Sequence, residues 1–103
     1  MRKKKYTVIA VGFRCRYGEI DIIAQNKKFL VFCEVKLRKS NRFAEAKEFV
    51  DEHKQNRLRT TAQYYISLYP TKLQPRFDVI EIYAPDGALT TNPDIRHMED
   101  AFE

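Results

Sequence analysis

The chain has 103 residues, 44% of them hydrophobic and 32% charged, which is enough for one modest core and too little for two, and excludes a disordered chain. Lys and Arg number 19 against 14 Asp and Glu, a formal charge of +5 that favours polyanionic partners, nucleic acid first among them. After the basic start Met1-Arg2-Lys3-Lys4-Lys5, the apolar stretch is broken by Gly12 and Arg14, which excludes a signal peptide and a membrane span. One domain over residues 1–103, cytoplasmic and without a membrane partner, is the expectation.

Residues 6–13, rich in β-branched and aromatic side chains, predict a first strand. Residues 17–24 and 29–36 predict a second and a third, with Gln25-Asn26-Lys27-Lys28 as the turn between them. Residues 39–42 are polar and loop-like, and a short helical piece over 43–50 is weakly patterned. Asp51 then stands where a helix N-cap belongs. Leu58, Ala62, Tyr65, Ile66 and Tyr69 follow at helical spacing, and the helix ends near Pro70. Residues 76–83 alternate as a fourth strand, Pro85-Asp86-Gly87 signals a turn, and residues 90–103 fit either a last strand or a short helix. Three strands, a main helix and one or two further strands predict an α/β or α+β packing of helix on sheet.

Cys15 and Cys33 lack a metal-type spacing and read as reduced, packed thiols. Even facing each other on adjacent strands they would need an oxidising compartment to join, and no His is placed to activate them.

The hairpin of strands two and three carries the chemistry. Side chains alternate across a strand, so Glu19, Asp21 and Ile23 are expected on one face and Ile20 and Ile22 on the other. On the next strand Phe32, Glu34 and Lys36 share a face, opposite Val31, Cys33 and Val35. A turn centred on Asn26-Lys27 sets Asp21 opposite Phe32 and Glu19 opposite Glu34; one centred on Lys27-Lys28 sets Asp21 opposite Glu34. Either register gathers Glu19, Asp21, Glu34 and Lys36. Facing carboxylates repel unless something neutralises them. Lys36 does part of that, and a hard cation such as Mg²⁺, which takes a few carboxylate oxygens with water and phosphate, would do more. Lys36 would then orient a water or offset charge as a phosphodiester is attacked. A solvated strand edge would present the same short Glu-Val-Lys pattern.

The runs Phe13-Arg14-Cys15-Arg16-Tyr17-Gly18-Glu19-Ile20-Asp21-Ile22-Ile23-Ala24 and Leu30-Val31-Phe32-Cys33-Glu34-Val35-Lys36-Leu37-Arg38 resemble the bacterial YraN family. The resemblance continues through residues 50–55, the helix at Leu58 and 62–66, the run Arg76-Phe77-Asp78-Val79-Ile80, and residues 95–102. These are predicted nucleases similar to archaeal Holliday-junction resolvases. The resemblance implies a restriction-endonuclease-like mixed β-sheet flanked by helices and a PD-(D/E)xK site. Asp21 and Glu34 would be metal ligands with the carbonyl of Val35, Lys36 the catalytic lysine, and Mg²⁺ or Mn²⁺ the cofactor. The substrate would be DNA or RNA, with branched, flapped or single-stranded DNA favoured. It also implies an N-terminal helix with a Gly-Glu pair and an Ala-rich face. Only Met1 to Lys5 precede Tyr6 here, so that helix and its acidic residue have no counterpart, and a homodimer would be one way to cover the face it leaves.

Arg14, Arg16, Arg38 and Arg42 flank the hairpin as candidate contacts to a nucleic-acid backbone. Lys54, Arg57 and Arg59 near the helix start would either hold phosphates or form a solvated face; Lys54 and Gln55 match the family pattern, and Glu19 and Gln55 are accessory positions. Asp78 reads as a partner of Arg76 or part of a buried network. Tyr64, Tyr65 and Tyr69 offer rings for base stacking, but Tyr65 and Tyr69 fall on the core stripe. His53 and His97 have no ligand pattern and are assigned to no metal. A metal-dependent nuclease-like domain is the leading reading, ahead of a non-catalytic nucleic-acid-binding module and a purely structural domain.

Overall fold

The computed structural model describes residues 6–38, 52–84 and 94–102. Five strands, β1 (Thr7–Cys15), β2 (Gly18–Gln25), β3 (Phe29–Arg38), β4 (Gln74–Tyr83) and β5 (Asp94–Phe102), form one mixed sheet in chain order, and helix α1 (Glu52–Leu68) joins β3 to β4. β3 and β4 run parallel, whereas the other neighbours are antiparallel. A parallel pair needs a crossover, and α1 lies within it. The architecture is α/β, with one helix among the described residues. The short helix expected over 43–50, the N-cap Asp51 and the turn at Pro85-Asp86-Gly87 lie outside them.

The β2–β3 turn decides the register. Asn26 Oδ1 accepts from the backbone N–H of Lys28 (2.9 Å) and Phe29 (2.7 Å), and the Asn26 N–H donates to the Phe29 carbonyl (3.0 Å). This Asx turn centres the loop on Lys27-Lys28, and the strands pair as Gln25–Leu30, Ala24–Val31, Ile23–Phe32 and Ile22–Cys33. The β1–β2 hairpin turns at Arg16-Tyr17, where Gly18 (φ +146°) brings its backbone against α1: a Cβ there would stand 3.2 Å from Thr61 Oγ1.

Two apolar layers sandwich the sheet. Ile20, Ile23, Leu30, Phe32 and Val79 pack with Leu58, Ala62 and Tyr65 of α1, whereas Ala24, Val31, Cys33 and Ile80 pack with Tyr6. The helix buries Leu58, Thr61, Ala62 and Tyr65, the three- and four-residue spacing that makes one stripe. Tyr69 does not complete it. The helix stops at Leu68, and Tyr69 is 58% exposed, with its ring 4.9 Å from that of Tyr65.

Strict alternation along β2 fails as well. Ile20 and Ile23 both face the helical core while Ile22 packs against the other layer. The break falls at Asp21, opposite Gly12 (φ +66°), between the Val11–Ile22 and Phe13–Ile20 pairs. A left-handed residue that glycine accepts freely twists the ribbon there.

The chain's last segment is a strand, held by a buried ionic network. The Arg76 guanidinium bonds both oxygens of Asp78 (2.9 Å each), His97 Nε2 lies 2.7 Å from Asp78 Oδ2, and the Asp100 N–H donates to Asp78 Oδ1 (3.0 Å). Arg76 also donates to the Tyr6 hydroxyl. Asp78 thus joins Arg76, as the sequence suggests, and ties β5 to β4 at the irregularity where Asp100 takes φ 52°. Cys33 is fully buried, and burial pushes its thiol up to about 12, which leaves it inert. It cannot face Cys15, because β2 lies between their strands.

Candidate active site at the parting of β2 and β3

The pairing of β2 with β3 ends at Ile22–Cys33, and one step further the register sets Asp21 across from Glu34. There the ladder is replaced by a side chain: the backbone N–H of Val35 donates to Asp21 Oδ2 at 2.8 Å. The Asp21 carboxylate therefore satisfies a strand donor that β2 no longer serves, and it holds the two strands apart at this level.

Glu34 is 7% exposed, and its Oε1 meets two ammonium groups: Lys36 Nζ at 3.3 Å and Lys54 Nζ at 2.6 Å. Lys36 comes from the same strand face two residues on, and Lys54 from the first turn of α1. A buried carboxylate is tolerated when charges of opposite sign are this close.

The groups shift one another. Burial drives the Asp21 carboxyl above the ordinary aspartate value; the Val35 N–H opposes this, and the nearby Glu34 and Glu19 carboxylates add to it. Burial, then the neighbouring Lys54, pull Lys36 below the ordinary lysine value. Burial acts downward on Lys54 too, yet its hydrogen bond to Glu34 and the surrounding carboxylates outweigh it, and Lys54 is held above that value. The two lysines are thus shifted in opposite directions around one buried carboxylate, and perturbed groups of this kind gather at functional sites.

The remaining candidates surround this centre at different depths. Glu19 is exposed and accepts from Arg14 Nε at 3.0 Å. Gln55 Oε1 accepts from Arg59 at 3.1 Å. Arg57 is exposed and lines a shallow depression with Glu19, Lys54 and Leu58. Arg16, also exposed, donates to the Tyr17 hydroxyl (2.8 Å) and lies over that ring. Arg38 closes β3, and Arg42 lies outside the described residues. Tyr64 is exposed beside Phe13 and Tyr17, a ring available at the surface, whereas Tyr65 is core.

The sequence offers Lys54 as either a phosphate contact or part of a solvated helix face, and neither reading finds it as the nearer cation of Glu34. It also passed over Glu81, a fully buried acid in β4, whose only signal was a carboxylate inside the apolar run Val79-Ile80-Glu81-Ile82. Among the described residues, no three His, Cys, Asp or Glu side chains converge as a metal-binding group. A cation here would rest on the two carboxylates of Asp21 and Glu34, completed by backbone, water or phosphate oxygens. No helix among the described residues is long and apolar enough to cross a membrane.

Residues 1–82, which span the whole of this cluster, match the model of the Uncharacterised protein family UPF0102. A UPF0102 protein of Caldanaerobacter subterraneus subsp. tengcongensis is 43% identical over 103 residues, covering 99% of this chain and 84% of its own. The chain belongs to the UPF0102 family. UPF0102 proteins of Caldicellulosiruptor bescii (43% over 102 residues, 97% of this chain and 84% of theirs) and Clostridium botulinum strain Kyoto (40% over 100 residues, 95% and 80%) are similar to it along nearly the same length. The UPF0102 relatives thus align with the chain well beyond the site, through β4 and into β5.

Proposed function

We propose that this UPF0102 chain is a divalent-metal-dependent, restriction-endonuclease-like nuclease that hydrolyses phosphodiester bonds in DNA, with branched or single-stranded forms as its substrates. The observation that carries the reading is the convergence of Asp21, Glu34 and Lys36 where β2 and β3 part, with the Val35 N–H fixed on Asp21 at 2.8 Å. The donor set fits Mg²⁺ or Mn²⁺: hard carboxylate oxygens from Asp21 and Glu34, the carbonyl of Val35, and room in the coordination sphere for water and phosphate. Such an ion, when bound, supplies Lewis-acid polarisation of the phosphoryl group and acidifies a bound water.

The chain's own residues do the rest. Lys36, its ammonium 3.3 Å from Glu34 Oε1, orients the attacking water and offsets charge as the phosphorus–oxygen ester bond breaks; the water's proton passes to solvent, which in turn protonates the departing oxygen. Lys54 keeps its charge and offsets the negative charge that builds on the phosphoryl oxygens. Arg14, Arg16 and Arg57 are exposed and, with Arg38 and Arg42, hold the nucleic-acid backbone across the site.

The test is cleavage of labelled single-stranded, flapped and four-way-junction DNA with Mg²⁺ or Mn²⁺, comparing wild type with Glu34→Gln and Lys36→Met. Metal-dependent cleavage lost in both variants supports the reading; cleavage undiminished by either, or none on any substrate, overturns it. The 2.6 Å contact of Lys54 with Glu34 favours one other function, a nucleic-acid-binding module in which the ammonium takes the place of a cation. DNA binding that is salt-sensitive but indifferent to divalent metal and to Glu34→Gln would establish it.

A further inference from the structure

Glu81 is fully buried in β4. The Tyr83 hydroxyl donates to its Oε2 at 3.2 Å, while its Oε1 meets no hydrogen-bond partner among the described residues. A buried carboxylate with one oxygen unsatisfied is costly, and native structures keep few such groups. The sheet register offers a reason for this one. Glu81 lies directly beside Lys36 in the parallel β3–β4 pairing, where registered neighbours present their side chains on the same face. On its other flank β5 places Arg96, but that residue is exposed and lies over the Tyr83 ring at 5.8 Å.

The lysines on that face are unevenly served. Lys36 and Lys54 both reach the same oxygen, Glu34 Oε1, and Lys36 is the more distant of the two. One carboxylate oxygen thus carries two ammonium groups while an oxygen on the adjacent strand carries none.

Building on the nuclease reading above, we propose that Glu81 is a positioning residue for Lys36. When Glu34 turns its oxygens to a divalent cation, the Lys36 ammonium passes to Glu81 Oε1, which keeps it on the site face instead of releasing it to solvent. The exchange is a change of hydrogen-bond partner in which no covalent bond forms or breaks. It gives Lys36 a counter-charge in both states, and it lets Glu34 be vacated without leaving a half-buried cation unpaired.

The test is a double-mutant cycle on thermal unfolding, Lys36→Met against Glu81→Gln, in two backgrounds. In otherwise wild-type protein, where Lys36 rests on Glu34, the two shifts in midpoint should add. In Glu34→Gln, which frees Lys36 to take its second partner, they should fail to add by about 3–6 °C. Additivity in both backgrounds overturns the proposal. A second measurement needs only the Glu34→Gln protein labelled with ¹⁵N-lysine: the Lys36 ammonium should remain protected from hydrogen exchange, and free exchange would contradict the pairing. On any DNA the wild type cleaves, Glu81→Gln should lower kcat about tenfold with KM unchanged, which a purely structural role would not do; an unchanged kcat overturns the positioning role. A wild type that cleaves nothing while the cycle shows coupling would overturn the nuclease reading and leave the Lys36–Glu81 pairing standing.

Discussion

Lys54 on the first turn of α1 reaches Glu34 of β3 at 2.6 Å, closer than Lys36, which shares a strand with Glu34 and stands at 3.3 Å. The tightest contact at the site is therefore the one between helix and sheet. It couples the packing of α1 to the charge state of the carboxylate that a cation would need.

From this follows the expected behaviour of Lys54→Met. The pair is partly buried, so its loss should cost about 1–2 kcal/mol, between the exposed and fully buried limits. The same variant removes a competitor for Glu34 and should bind Mn²⁺ several-fold more tightly. Denaturant unfolding and calorimetric Mn²⁺ titration of the same samples check both, and weaker Mn²⁺ binding would show that Lys54 supports the site instead of competing for it.

Asp21 gives a pH dependence. Its carboxyl is raised above the unfolded value, chiefly by burial, so the folded chain holds that proton more tightly than the unfolded one. Its contribution to stability is greatest below the unfolded value and is lost as pH rises through the raised folded value. Asp21→Asn, whose amide oxygen can still accept from Val35, escapes that loss. Without metal its melting midpoint should equal or exceed that of wild type at pH 7, and its advantage should shrink as pH falls toward 4. An advantage that grows on acidification would contradict this origin of the shift.

The hairpin is legible in outline from the sequence. Asp21, Glu34 and Lys36 stood out because charges interrupt strands that otherwise alternate, and both candidate registers gathered them. Which register forms depends on Asn26, whose side chain caps the turn, and no pattern of hydrophobicity carries that information. The strand pattern wrongly placed Ile20 away from Ile23, since period-two reasoning assumes an untwisted ribbon and Gly12 twists this one. Lys54 joins the site across the helix–sheet boundary, and Glu81 lies beside Lys36 across the β3–β4 boundary. Such contacts are set by the crossover between distant segments, which local spacing does not encode. Tyr69 was assigned to the core by continuing the helical stripe beyond the point where the helix stops.

The Arg76–Asp78 pair is a structural counterpart to the site. Asp78 is fully buried, and Arg76, Tyr6, His97 and the Asp100 backbone all converge on or beside it. Arg76→Met strands that carboxylate and should cost about 3–5 kcal/mol in urea unfolding. It should leave the response to Mn²⁺ of whatever remains folded unaltered. A loss below 1 kcal/mol would mean that His97 alone compensates.

The exposed arginines are expected to act uniformly. Arg16→Ala should weaken binding to every DNA form alike and reduce the slope of log affinity against log salt by about one. Discrimination between junction and duplex that changes with Arg16 would instead make it a reader of shape.

The central claim is that Asp21 and Glu34 together hold a divalent cation. Thermal unfolding of wild type and Glu34→Gln, each with and without millimolar Mn²⁺, tests it most directly. The expected result is a wild-type midpoint that rises with metal, by the shift in °C equivalent to the roughly 2.7 kcal/mol of stabilisation that a ligand at a hundred times its dissociation constant confers, and a Glu34→Gln midpoint that stays where it was. Equal shifts in both proteins, or none in either, would contradict it.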